Sequence, residues 1–241
     1  MFGFMAVWDK DEKINTLLWD LDGTLLDFLA SEKIAIRQCF ALFGLGECGD
    51  DRIARYSAIN VRHWESLERG ELTKQQVLLG RFEEFFAAEG IDTALAASFN
   101  RAYEERLGDA VVFRDDSYAL VKRLQGRVKQ YIVTNGTERV QEKKLSKSGL
   151  GELFDGVFIS DLVGAQKPSP VFFDRVLAQI GDPDRRGVMI VGDSLTGDMR
   201  GGMNAGLVCC WYNPGKASLP PGYRIDYEIA DLREVETLIG P

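Results

Sequence analysis

The chain has 241 residues, 45% hydrophobic and 27% charged, a composition that supports a globular fold with a sizeable core and excludes disordered, collagen-like and membrane-spanning classes. Twenty-nine basic residues against 37 acidic ones leave a formal net charge of −8, so the molecule repels polymeric nucleic acid and anionic lipid at long range. An anionic small molecule then requires a pocket that is locally positive or metal-bearing. The cysteines are Cys39, Cys48, Cys209 and Cys210, without a CxxC pair and with His63 as the single histidine, which fits neither a disulfide framework nor a zinc site. The opening MFGFMAVWDKDEK lacks the basic front and small-residue cleavage site of a secretory leader, and no apolar run approaches about 18 residues. The expectation is a cytoplasmic protein with no membrane association.

In chain order, the first apolar run, Thr16 to Asp20, reads as a strand. Residues 28–107 contain no strand pattern but carry helical stripes, Ile36, Phe40 and Phe43, then Phe82, Phe85 and Phe86. Leu120, Val121 and Leu124 before Gly126 predict a helix, and Val128 to Thr134 a strand. Val140 to Leu145 before Gly149 predict a second helix, and Gly156 to Ser160 a third strand. Ser169 and Pro170 form an N-cap and N1 pair for a helix with Phe173, Val176, Leu177 and Ile180 on one face and Gly181 as its stop. Strands follow at Gly187 to Gly192 and Val208 to Tyr212, with a weaker one at Tyr227 to Ile229. Strands alternating with crossover helices predict an α/β fold, a doubly wound parallel sheet. Residues 1–27 and 108–241 form this core, and 28–107 an all-helical cap inserted after the first strand, over the strand ends where open α/β sheets bind ligands.

Asp20-Leu-Asp22-Gly23-Thr24 closes the first strand. Two carboxylates so close call for a cation, and hard oxygen ligands with positions left for water and phosphate favour Mg²⁺. Taken alone the segment is also an ordinary polar turn, as Gly192-Asp193-Ser194 is an ordinary turn and cap and Lys167-Pro168 an ordinary solvated loop. Their order along the chain decides otherwise. Asp20 to Thr24, Thr134-Asn135-Gly136, Lys167-Pro168 and Gly192-Asp193-Ser194-Leu-Thr-Gly-Asp198, with the run Gly201 to Gly206 behind them, resemble the four motifs of the haloacid dehalogenase superfamily.

That resemblance implies a Rossmann-like core and Mg²⁺-dependent hydrolysis of a phosphomonoester through an aspartyl-phosphate. It makes Asp20 the nucleophile and Asp22 the acid and base, with the Asp22 backbone carbonyl beside Asp20 and Asp193 as metal ligands. Asp198 supports the metal directly or through water. Thr134, the amides of Asn135 and Gly136, and Lys167 receive the phosphate. Related dehalogenases lack the second aspartate, so Asp22 favours phosphoryl over carbon–halogen chemistry.

Within the cap, Asn60-Val-Arg62-His63-Trp64-Glu65 and Gly80-Arg81-Phe82-Glu83 combine rings with hydrogen-bonding groups suited to a nucleobase, although the phenylalanines serve equally as cap core and Arg62 and Arg81 as ion-paired residues. The segment from Asn60 to Phe86, and Gly181 to Arg185, are similar to bacterial pyrimidine-type 5′-nucleotidases. This makes a nucleoside monophosphate the expected substrate and His63, Trp64 and Arg81 candidate contacts. The alternatives are a phosphoglycolate or sugar-phosphate phosphatase, a phosphomutase and a non-catalytic sensor of a phosphorylated ligand. His63 is better suited to packing or a substrate hydrogen bond than to catalysis, and Cys209 and Cys210 to buried, inert thiols.

Overall fold

The computed structural model describes residues 13–239; the apolar opening of the chain lies outside the described residues. Strand β1 (Thr16–Trp19) is followed by four helices, α1 (Phe28–Phe43), α2 (Asp50–Glu68), α3 (Lys74–Glu89) and α4 (Ala96–Asp109). Then come α5 (Ser117–Leu124), β2 (Lys129–Thr134), α6 (Glu138–Ser148), β3 (Gly156–Ile159), the single turn α7 (Ser160–Val163) and α8 (Pro170–Gln179). The chain ends with β4 (Val188–Gly192), α9 (Arg200–Ala205), β5 (Val208–Tyr212), β6 (Tyr227–Ile229) and α10 (Val235–Leu238).

The six strands form one parallel sheet in the order β3-β2-β1-β4-β5-β6. β1 lies between β2 and β4, where the winding reverses direction, and the carboxyl ends of these three strands flank the crevice that such a reversal leaves open. The Asp20 amide donates to the Val191 carbonyl at 2.9 Å, which carries the pairing one residue past β1.

Both faces of the sheet are covered, so its strands are continuous apolar runs whose alternate residues enter different layers. Trp19, Ile132, Val191, Cys210 and Tyr212 pack in one layer with Leu120, Val121 and Leu124 of α5. Leu18, Val133, Ile190, Cys209 and Trp211 pack in the other with Phe172, Phe173, Val176 and Leu177 of α8. Adjacent Cys209 and Cys210 therefore face opposite layers; both are free and buried, and burial pushes the Cys209 thiol up to about 12. Pro170 begins α8 as expected, its fixed φ and missing amide suiting the first helical position, but the Ser169 hydroxyl makes no capping bond.

The helices between β1 and β2 form a cap with its own core. Phe40, Tyr56, Phe82, Phe85, Phe86, Phe99 and Tyr103 are fully buried, and Tyr56 and Phe82 stack with centroids 5.0 Å apart. The Asp27 carboxylate opens α1 by accepting from the Ala30 amide at 3.0 Å, and Thr73 with Gln76 forms a capping box at α3.

Polar contacts seat the cap on the core. Lys74 of α3 donates to the Ser160 hydroxyl at 2.7 Å and pairs with Asp161. Asp109 of α4 takes Lys143 at 2.8 Å and Lys147 at 2.7 Å from α6. Among the described residues no helix is long and apolar enough to cross a membrane.

Candidate active site

At the carboxyl end of β1 the side chain of Asp20 is buried, and its two oxygens differ. Oδ1 accepts a hydrogen bond from Lys167 Nζ at 2.8 Å, while Oδ2 is buried without a partner. Gly23, at φ +99°, occupies the left-handed region that favours glycine, and a Cβ there would lie 2.5 Å from Asp193 Oδ2. Glycine thus lets the first turn and the turn after β4 approach each other. Thr24 joins them, its hydroxyl donating to Asp193 Oδ1 at 3.3 Å and accepting from the Asp193 amide at 3.1 Å.

Lys167 is buried, and its ammonium donates to Asp20 Oδ1, to Asp198 Oδ1 at 2.6 Å and to the Val133 carbonyl at 2.8 Å. Burial opposes its charge, but Asp198 and Asp20 outweigh burial and raise its pKa above the ordinary lysine range. Asp198 Oδ2 accepts from the Ser194 amide at 3.1 Å. One carboxylate oxygen from each of Asp20, Asp193 and Asp198 lies within 4.8 Å of the others. Loss of water around Asp20, with the charges of Asp198 and Asp22 added, outweighs Lys167 and raises its carboxyl to about 7. Asp193 opens to the cleft, yet the surrounding protein first, and then Asp20 and Asp198, raise its pKa as well. Three carboxylates that resist ionisation together, one with an oxygen left unpartnered, suit a hard divalent cation.

The Asp22 carboxylate stands outside this cluster. It lines the cleft, but Oδ2 accepts from Gln141 Nε2 at 2.8 Å and Oδ1 from Lys144 Nζ, both on α6. At the end of β2, the Gly136 amide points at the Thr134 hydroxyl, 3.3 Å away. The Asn135 side chain is spent on the Lys167 backbone, accepting from its amide at 2.8 Å and donating to its carbonyl at 2.9 Å. Asn135 therefore holds Lys167 in place.

These groups form the floor of a cleft of about 500 Å³. Its outer wall comprises Phe28, Asn60, Trp64 and Glu65 of the cap, with Trp211, Pro220 and Tyr223 of the core. Of the three cap candidates, the structure brings Trp64 to this wall. His63, next along α2, turns towards α3, where Nε2 lies 2.9 Å from Glu84. Arg81 is buried between the cap helices, donating to Asn60 Oδ1 and Asn100 Oδ1, both at 2.9 Å, with its guanidinium over the rings of Phe82 and Tyr103. It borders a side chamber of about 40 Å³ behind Trp64 rather than the cleft itself.

Residues 14–206 match the model of the haloacid dehalogenase-like hydrolases. The chain belongs to this family. It is 35% identical to the HAD-hydrolase YfnB of Bacillus subtilis, over 95% of this chain and 97% of that one. It is also 30% identical to the pyrimidine 5′-nucleotidase YjjG of Escherichia coli, over 94% and 98% of the two chains. To the pyrimidine 5′-nucleotidase PynA of Streptococcus pneumoniae it is 34% identical, over 90% and 92%. The crystal structure of YfnB, bound to magnesium and described as revealing interdomain movement, superposes with a TM-score of 0.88 over 95% of this chain and all of that one.

In this haloacid dehalogenase-like hydrolase, residues that no motif marks also reach the motif residues. Glu68, the last residue of α2, reaches the turn after β4, where its carboxylate accepts from the Ser194 hydroxyl at 3.0 Å and from Thr196. Burial raises its carboxyl, and a Cβ on Gly197 would lie 2.4 Å from its Oε1. Ser194 had a sequence signal, as part of the fourth motif; Glu68, Gln141 and Lys144 had none.

Proposed function

We propose that the protein is a Mg²⁺-dependent nucleoside 5′-monophosphatase. The observation that carries this reading is the division of the cleft. Among the described residues lining it Lys167 is the one basic side chain, and that ammonium is spent on Asp20 and Asp198 at the floor. Beyond that floor the cleft is lined by aromatic rings, and its remaining charges are the acidic Glu65 and Glu68. A leaving group bearing its own carboxylate or second phosphate, as phosphoglycolate or a mutase intermediate does, would meet these glutamates without a counter-charge. An uncharged nucleoside presents a base to Trp64 and sugar hydroxyls to acceptors. The YjjG and PynA likenesses support the same assignment.

In this mechanism the free Oδ2 of Asp20 attacks phosphorus, and the bond from phosphorus to the sugar oxygen breaks as that oxygen takes a proton from Asp22. Asp22, now a carboxylate, takes a proton from water, whose oxygen attacks the phosphoryl group. The bond to Asp20 breaks, inorganic phosphate leaves, and Asp22 is protonated again for the next turnover. Lys167 aligns Asp20, and Thr134 with the amides of Asn135 and Gly136 receives the phosphoryl oxygens, whose spread charge is what such a site must stabilise. Asp20, Asp193 and the Asp22 carbonyl, with Asp198 in support, would hold Mg²⁺, which would supply charge neutralisation for the phosphoryl group.

Phosphate release from a panel of nucleoside monophosphates, sugar phosphates and phosphoglycolate, with and without Mg²⁺, tests the reading. Mg²⁺-dependent preference for pyrimidine nucleotides is expected, together with a rise of about tenfold in KM for Trp64→Ala, since base stacking on an aromatic ring contributes about 1–3 kcal/mol. Preference for phosphoglycolate would overturn the nucleotide assignment. Asp193→Asn is expected to weaken Mg²⁺ binding by at least about tenfold in calorimetric titration, because it replaces a charged oxygen ligand with a neutral one. An unchanged titration would remove Asp193 from the metal site.

A further inference from the structure

Resting on the phosphatase reading, we infer that Lys144 and Gln141 are positioning residues for Asp22, holding its carboxylate where it can pass protons to and from the reacting oxygens. The two residues lie three apart on α6 and so share one helix face. Both are buried, Lys144 completely and Gln141 to within 1%, and both aim at one carboxylate, Nζ at Oδ1 and Nε2 at Oδ2.

The connection from β2 to α6 is shaped around this contact. A Cβ on Gly136 would lie 1.7 Å from Gln141 Nε2, so any larger residue at the end of the second motif would displace Gln141 from Asp22. On the other side, the ring of Phe28 lies 5.4 Å from Lys144 Nζ, which closes the ammonium in from the first turn of α1.

A buried lysine is a costly way to join α6 to the core. Apolar residues of similar volume pack such a face with no desolvation cost and often with greater stability. Here the cost is accepted at a carboxylate that lines the cleft and stands apart from the Asp20, Asp193 and Asp198 cluster. One bond to each Asp22 oxygen leaves further lone pairs on both, so the carboxylate is held while a side of it still faces the cleft. A general acid or base works only within hydrogen-bond reach of its proton, and misplacement by about 1 Å costs roughly 10²-fold.

The test is a double-mutant cycle between Lys144→Met and Asp22→Asn, read as kcat and KM on a nucleoside monophosphate and on p-nitrophenyl phosphate. Expected is a fall of roughly 10–100-fold in kcat for Lys144→Met, the range typical when the partner that orients a reacting group is lost, with KM changed less than about twofold. In the Asp22→Asn background the same substitution should change kcat by less than about twofold, because a residue that acts through Asp22 has nothing left to position.

Equal losses in both backgrounds, or a loss under twofold in the wild-type background, would overturn the inference. If Lys144→Met does not fold, Gln141→Leu replaces it in the cycle. A loss of at least threefold confined to the background that retains Asp22 supports the positioning role, and an equal loss in both rejects it. Since p-nitrophenyl phosphate carries the cycle without a nucleotide, failure of the substrate assignment is distinguishable from failure of this one.

Discussion

Asp20→Asn is expected to lower kcat by at least about 10⁴-fold, the largest single effect in this site, while the far-ultraviolet circular dichroism stays that of the wild type. The amide has nearly the shape of the carboxylate, but it lacks the lone-pair density and charge of the Oδ2 that stands unpartnered at the floor of the cleft. The same substitution has a stability signature in the metal-free protein. The folded-state carboxyl of Asp20 is raised to about 7 by burial against an ordinary value of 3.8, so the folded protein binds the proton more tightly than the unfolded chain. Its contribution is fully present below about pH 4 and is lost as pH rises through 7. Urea denaturation of the metal-free wild type between pH 4 and pH 8 should show this decline, and Asp20→Asn should flatten it. Substantial turnover by Asp20→Asn would sink the aspartyl-phosphate mechanism; an unchanged pH slope would show that Asp20 is not the group that titrates.

The second large effect is expected from Lys167→Met. Among the described residues the ammonium is the one cation in contact with Asp20 and Asp198, and it also satisfies the Val133 carbonyl. Removing it leaves two buried carboxylates facing each other, with Asp193 close by. Breaking a buried charge pair from one side costs about 3–5 kcal/mol. Because Lys167 favours the ionised forms of both aspartates, the loss should be greatest above pH 7 and shrink as pH falls and they take up protons. Turnover should fall by roughly 10³-fold, since nucleophile alignment and charge on the transferring phosphoryl group are lost together. Denaturation curves at pH 6 and pH 8, beside kcat at saturating Mg²⁺, check both parts. A destabilisation that does not change with pH would mean that Lys167 acts by packing rather than by charge.

Much of the core was legible because its signals are local. The six strands appear as short apolar runs, and the residues at their carboxyl ends, Asp20, Thr134 and Asp193, appear as short motifs in a set order. A parallel sheet then gathers those ends on one edge whatever the intervening chain does. The helical character of the segment after β1 was equally plain, since its aromatic residues recur with helical spacing and become the cap core.

What escaped the sequence is what depends on the direction of one side chain or on contacts across the fold. His63 and Trp64 are neighbours on α2, and about 100° of helical rotation sends one to Glu84 and the other to the cleft. Arg81 could as well have faced solvent, substrate or core; the packing of α2, α3 and α4 around it settled on the core. Lys144 meets Asp22 across 122 residues and Glu68 meets Ser194 across 126, and on their own helices they are ordinary charged residues. The sequence alone determined which residues make up the floor, because motif residues are tied to strand ends by local geometry. The tertiary structure decided which side chains hold Asp22 and wall the cleft, because those choices are made by helix docking, where side chains from distant parts of the chain compete for the same space and the same hydrogen bonds.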